Sequence, residues 1–344
     1  MAKRVKDLSF DIRRAIHTPA EVSTRAVERV KDMESNRHRA MPFPIEKIAG
    51  YFADLMPGEI CAVQAQSSNY KSGLISFWAD WLAKYLASRG RGNEAIIHID
   101  TENDADTQGI QQISYLSHHS IADLSRGNVR DWGEVMDAAG RLTDVEVYRI
   151  SGVLGSDDAP DLYLSNIYRG IKMLTDGDVV EKKIVPACIF VDYLQALPID
   201  PEIGASPDMK EHRRLQVRQD VYRLRRMAQF FQCPVVVGVQ AKQILGGFLG
   251  PNMLIPGTYD GEETSAIAQR FDRIVSMWMP KTTHSVGDRL SHKSRSYCVE
   301  ESTLFLRVNK QRGGLPAGRW WPCRVDYRTN TIRVDESIMS IGDV

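Results

Sequence analysis

From residue 42 onward the chain alternates short, continuous apolar runs with longer stretches whose apolar residues recur at helical spacing. Runs unbroken by polar residues predict strands buried on both faces, as a parallel sheet requires. They fall at 60–63, 187–191 and 234–239, the last made almost wholly of valine; 95–99, broken by His98, and 146–150, broken by Glu146 and Arg149, read as further strands. Helical stripes lie between them at 73–88, 162–174 and 215–231. Strand alternating with helix is the order of an α/β domain with helices on both faces of a mostly parallel sheet. After residue 264 the pattern changes. The segments 273–279, 303–308, 319–325 and 330–334 read as closely spaced strands joined by hairpin-like turns, a β-rich C-terminal extension.

The first 40 residues do not share this pattern. They are charge-rich, with a helical patch at 22–33 whose Val27, Val30 and Met33 recur at helical spacing. The patch is too sparse for a core, so 1–40 is expected to be an arm or linker helix that packs against its own body or a neighbouring subunit. Met41-Pro42-Phe43-Pro44 marks the boundary with a domain over 41–344, since each proline restricts the residue before it. Two long segments without periodicity, 198–213 and 243–264, leave strand ends on the side where such sheets bind ligands.

Composition narrows the possibilities less than pattern does. Lys plus Arg and Asp plus Glu are equal at 44 each, so any nucleic-acid contact must come from locally clustered charge. The five cysteines are scattered, without Cys-x-x-Cys spacing, and the eight histidines have no ligand spacing. A reducing compartment and no structural zinc are expected. No apolar run is long enough to span a bilayer, and the basic N-terminus is followed by charged residues where a signal peptide needs apolar ones. A cytoplasmic protein with no membrane partner is expected.

The chemistry begins with Asp192, at the end of the run Ile189-Phe190-Val191 and followed by Tyr193-Leu194-Gln195. An Asp at the carboxyl end of a buried parallel strand faces the ligand crevice, and in P-loop ATPases it acts on the magnesium ion of the nucleotide. Between the first strand and helix stand Ala65, Gln66, Ser67, Ser68, Asn69, Tyr70, Lys71 and Ser72. This is the context of a phosphate-binding loop, in which Lys71 would reach the β- and γ-phosphates and Ser72 the magnesium ion. The loop pattern has glycine where this chain has Ala65 and Tyr70. Taken alone, Lys71 also reads as a solvated lysine opening a helix.

The string Asp192-Tyr193-Leu194-Gln195 resembles the second nucleotide-binding motif of DnaB-type hexameric replicative helicases, and further motifs follow in that family's order. Glu102, in Asp100-Thr101-Glu102-Asn103, falls on the glutamate that activates the attacking water, with Asp100 as the competing carboxylate. Gln240 ends a run similar to the family's strand that senses the γ-phosphate. Lys310 and Arg312, in Asn309-Lys310-Gln311-Arg312-Gly313, resemble the hairpin cations that reach a neighbouring subunit's γ-phosphate. Spaced two apart on a strand, they share one face.

The resemblance implies a RecA-like P-loop ATPase core, ATP with Mg2+ bound through Ser72 and Asp192, and a ring of identical subunits, expected to be a hexamer. It implies translocation on single-stranded DNA, RNA not excluded, with Lys210, Arg213, Lys242, Gly246 and Gly247 on the strand-contacting loops and a loader or primase as further partner. The family's N-terminal primase-binding domain is missing, so a compact helicase of a phage, plasmid or mobile element is expected. The altered loop leaves two alternatives open: a nucleotide-binding scaffold without hydrolysis, and a RecA-like ATPase of recombination or defence that unwinds nothing.

Overall fold

The computed structural model describes residues 18–117, 119–142, 146–152, 162–198, 209–243, 254–262, 265–292, 295–313 and 315–341. The chain divides into two compact units, residues 1–40 and 41–344. In the first, the described residues include α1 (Pro19–Ser35), opened by a capping box in which Thr18 and Glu21 satisfy each other's backbone N–H. Val22, Val27, Val30 and Met33 on this helix are exposed.

The second unit opens with a single helical turn, α2 (Glu46–Ala49), and then alternates. Its order is β1 (Ile60–Ala65), α3 (Lys71–Ser88), β2 (Glu94–Asp100), α4 (Ala105–Ser117), α5 (Ile121–Ser125), α6 (Trp132–Leu142) and β3 (Val147–Ser151). There follow α7 (Leu164–Asp176), β4 (Val185–Asp192), α8 (Met209–Phe231), β5 (Val235–Gln240), α9 (Ala266–Arg270) and β6 (Arg273–Trp278). The C-terminal part holds β7 (Arg289–His292), β8 (Arg295–Cys298), β9 (Thr303–Gln311), β10 (Trp320–Asp326), β11 (Thr331–Val334) and β12 (Ser340–Ile341). Among the described residues no helix is long and apolar enough to cross a membrane.

Nine strands form one sheet in the order β11-β10-β9-β6-β1-β5-β4-β2-β3. From β6 to β3 every pair is parallel, and β9, β10 and β11 extend the edge as antiparallel strands. Alternate side chains feed two cores, as the pleat demands. Cys61, Val63, Phe190 and Val236 pack under α3, whose Leu74, Trp78 and Leu82 are fully buried. Ile60, Ala62, Ile189 and Val235 pack on the other face against α7 and α8. The fold is thus a mixed α/β sandwich with a β-rich C-terminal extension, as the pattern predicts.

Three details depart from the sequence reading. β6 belongs to the parallel core, in register with β1, rather than to the hairpin series. The segment 198–213 is not irregular throughout, because α8 begins at Met209; its first turns are Lys, Glu and Arg, good helix formers that leave no apolar stripe to detect. The helices of 105–142 were not anticipated. The buried side of α4 is polar, with Gln108, Gln112 and Ser114 turned inward, so its periodicity is invisible to a hydrophobic pattern.

Candidate nucleotide site

The site lies along the carboxyl edge of the parallel strands, where β1, β4 and β5 end at Ala65, Asp192 and Gln240. A cavity of about 420 Å3 there is lined by Gln66, Ser67, Ser68, Lys71, Ser72, Glu102, Tyr193 and Gln240, among others. The structure therefore gathers the anticipated loop, the Glu102 turn and the sensor-like Gln240 around one space, while Asp192 does not line it but lies buried beside Lys71 and Ser72.

The loop takes its shape without the expected glycines. Ser68 and Tyr70 both sit in the left-handed region, at φ 62° and 65°, a conformation uncommon for side-chain-bearing residues. Two distant anchors hold it. The Asn69 side chain accepts from the Met279 N–H at 2.7 Å and from Thr282 Oγ1 at 3.2 Å, and donates to the Ser67 carbonyl at 2.9 Å. The Tyr70 hydroxyl donates to Asn330 Oδ1 at 2.5 Å, which draws the ring out of the loop. α3 then starts with no side chain capping its N-terminus, leaving first-turn N–H groups to face the cavity.

Lys71 opens this helix and is buried, which pushes its pKa down, against the pull of Asp192 and Glu102. Asp192 is 1% exposed. Burial raises its carboxyl to about 6, while the Lys71 ammonium and the Ser72 hydroxyl act in the opposite sense. One carboxylate oxygen, Oδ1, is buried without a hydrogen-bond partner. Such an orphan is costly in a folded interior and needs a reason. Gly238 on β5 makes the close approach possible, since a Cβ there would lie 2.8 Å from that oxygen.

Two roles on the Glu102 turn separate cleanly. Asp100 accepts from the N–H groups of Glu102 and Asn103, each at 2.9 Å, and so builds the turn. Glu102 is exposed and lines the cavity, so of the two carboxylates it is the one free to meet a ligand. Gln240 is held by Gln195, whose amide oxygen accepts from the Gln240 N–H at 2.9 Å and whose amide nitrogen donates to the Gln240 carbonyl at 3.2 Å. Gln195, not singled out from the sequence beyond its place in the motif, is thus the clamp on Gln240. Tyr193 was likewise unassigned, although it stands between Lys71 and Glu102.

Other anticipated residues are not brought here. Lys310 and Arg312 lie on and just after β9, where Lys310 pairs with Ile274 and the chain continues past Arg273. That is toward the starting end of the parallel strands, about 10 Å along β1 from Ala65 for Lys310 and about 17 Å for Arg312 at roughly 3.3 Å per residue. Lys310 donates to the Ala268 carbonyl at 2.5 Å and Arg312 to that of Gln269 at 2.5 Å. Arg312 also pairs with Asp272 at 3.4 Å. Neither reaches this chain's own cavity.

Of the anticipated strand-contacting residues, Arg213 turns its guanidinium onto the backbone carbonyls of Leu197 and Gln195. Lys242 is exposed, and its backbone carbonyl accepts from Gln66 Nε2 at 3.2 Å. Lys210 is in the first turn of α8, its side chain outside the described residues, as are Gly246 and Gly247.

A mostly parallel sheet with its loops and buried Asp gathered at the carboxyl edge is an α/β fold with its ligand crevice at that edge. More particularly, the fold is that of the ATPase domain of DnaB-like helicases. A DnaB-like replicative helicase, solved in a study of its interactions with primase, matches with a TM-score of 0.67 at 13% identity, covering 93% of this chain and 68% of that one. A second structure, described as an ATPase domain, gives 0.69 at 13% identity, with 93% of this chain and 100% of that one covered. No family model and no curated protein matches the sequence.

Proposed function

We propose that the protein is a helicase-type ATPase that works as a ring of identical copies on single-stranded nucleic acid, DNA first. One observation carries most weight: an unpartnered carboxylate oxygen of a buried Asp, beside a buried lysine and a serine at a helix start, in a fold shared with helicase ATPase domains. Among the described residues no three His, Cys, Asp or Glu side chains cluster to hold a metal by themselves. Ser72 and Asp192 suit a magnesium ion that takes its remaining ligands from phosphate and water, and that ion would neutralise charge on the transferring phosphoryl group.

Lys71 and the open helix N-terminus bind the phosphates in this reading. Glu102 accepts the proton of the attacking water. Gln240, its backbone fixed by Gln195, hydrogen-bonds the terminal phosphate without adding charge. Lys310 and Arg312 serve the neighbouring copy, since they stand at the wrong end of the sheet for their own. The arm helix offers Val22, Val27, Val30 and Met33 as a stripe that a neighbouring copy would cover.

The test is ATP turnover with and without single-stranded DNA, for the natural chain, Lys71→Ala and Arg312→Ala. DNA-stimulated turnover is expected, lost in each variant and partly restored when the two are mixed, because mixing recreates some seams with both halves intact. For the arginine the loss should be about three to five orders of magnitude. Turnover no higher than the Lys71→Ala background in every sample would leave a nucleotide-binding scaffold instead.

A further inference from the structure

Tyr70 stands where a phosphate-binding loop ordinarily has glycine, and its ring has a place of its own. It lies across Gly73, where a Cβ would come within 2.4 Å of the ring. It packs edge-to-face with Tyr327, centroids 5.4 Å apart and ring planes 84° apart. Its hydroxyl partner Asn330 sits in the turn between β10 and β11, at φ 52° and 3% exposed. That turn is tied to α4 as well, since Ser114 Oγ donates to the Arg328 carbonyl at 2.5 Å. The cavity thereby gains a second wall of Tyr70, Gly73 and Asn330, with Gln111 and Ile121 beside them.

The two walls differ chemically. Lys71 and Glu102 bring charge to one. The other offers an aromatic ring, an aliphatic chain and two carboxamides, with no charged group. Because Tyr70 occupies Asn330 Oδ1, the amide is oriented, and its Nδ2 has no protein partner among the described residues. A neutral wall with one aromatic ring and one free N–H donor suits a nucleobase and offers little to a phosphate.

We propose that Tyr70 and Asn330 form the nucleoside-binding wall of this site, the base lying against the Tyr70 ring and a base acceptor taking the Asn330 Nδ2–H. The proposal rests on the phosphate-binding reading of Lys71. In these terms the tyrosine replaces the flexibility of a glycine with a contact that a bare loop lacks.

Calorimetric titration in Mg2+ with ATP, and separately with inorganic tripolyphosphate, distinguishes the two walls. Tyr70→Gly supplies the residue that the left-handed loop position favours, and Asn330→Gly does the same in its turn, so both keep the backbone while removing the wall. Each should weaken ATP about five- to twentyfold more than it weakens tripolyphosphate, whose own loss reads the loop anchor that both variants also remove. Equal weakening of both ligands, or unchanged ATP affinity, would overturn the proposal. Tripolyphosphate bound by the natural chain as tightly as ATP would also overturn it, while leaving Lys71 as a phosphate ligand. Binding of neither would remove the phosphate site and the nucleoside wall together.

Discussion

The Lys71 ammonium lies 3.4 Å from the centre of the Tyr193 ring, and the hydroxyl of that tyrosine lies beside the Glu102 carboxylate. Lysine and ring attract through the ring quadrupole, more strongly where water is excluded. A phosphate that draws Lys71 forward must first take it from the ring. Tyr193→Leu should therefore tighten tripolyphosphate binding about three- to tenfold, the scale of a desolvated cation–π contact. Weaker binding in the same titration would show that the ring supports the lysine in its ligand-bound position instead.

The raised pKa of Asp192 gives a pH dependence whose sign is fixed. Its folded carboxyl titrates near 6, above the unfolded value of about 4. The folded state thus binds that proton more tightly, and the Asp192 contribution to stability increases as pH falls from about 6 to about 4. At pH 7 the ionised, buried group costs on the order of 2–3 kcal/mol, which Asp192→Asn relieves. Urea unfolding at pH 7 should show the variant more stable than the natural chain and the difference shrinking below pH 6. Magnesium-dependent nucleotide binding should be lost in the same variant. Asp80, buried and also raised to about 6, stays in both proteins and cancels from the comparison.

Gly73→Ala should change sign with its neighbour. In the natural chain the new methyl group meets the Tyr70 ring, and overpacking of this kind costs about 1–3 kcal/mol. In a Tyr70→Gly background the ring is gone, and alanine should stabilise α3 by up to about 1 kcal/mol over glycine. A double-mutant cycle by chemical denaturation measures this. Additive effects would mean that the ring does not lie over Gly73.

Gly238→Ala places a Cβ 2.8 Å from Asp192 Oδ1, 2.9 Å from Ile75 Cδ1 and 3.0 Å from Tyr193 Cβ. Loss of about 1–3 kcal/mol in stability is expected, together with weaker magnesium-dependent nucleotide binding. A variant that binds as the natural chain does would show that the carboxylate can shift without consequence.

The parallel core was readable because most of its strands are continuous apolar runs, and Asp192 because it ends one of them. Lys71 and Ser72 could be placed by their position between strand and helix. The devices that shape the loop could not: Asn69 answers to Met279 and Tyr70 to Asn330, 210 and 260 residues further along the chain. The missing glycines therefore looked like damage, when their place is taken by contacts that only folding assembles. Arg213, a basic residue beside a long loop, suggests a nucleic-acid contact from sequence; that its guanidinium also donates to the Leu197 carbonyl, 16 residues earlier, is a pairing no sequence pattern shows.

Asn69 also has a mechanical meaning. It is pinned at the far end of β6 by Met279 and Thr282, and β6 runs back, paired along its length with β9, to the corner that carries Lys310 and Arg312. Any ligand that displaces the phosphate loop must either break both bonds at Asn69 or push on this rod. Through it, a shift at the Asn69 loop bears on the corner of Lys310 and Arg312, across a single irregularity of the ladder at Ile274 and Val275.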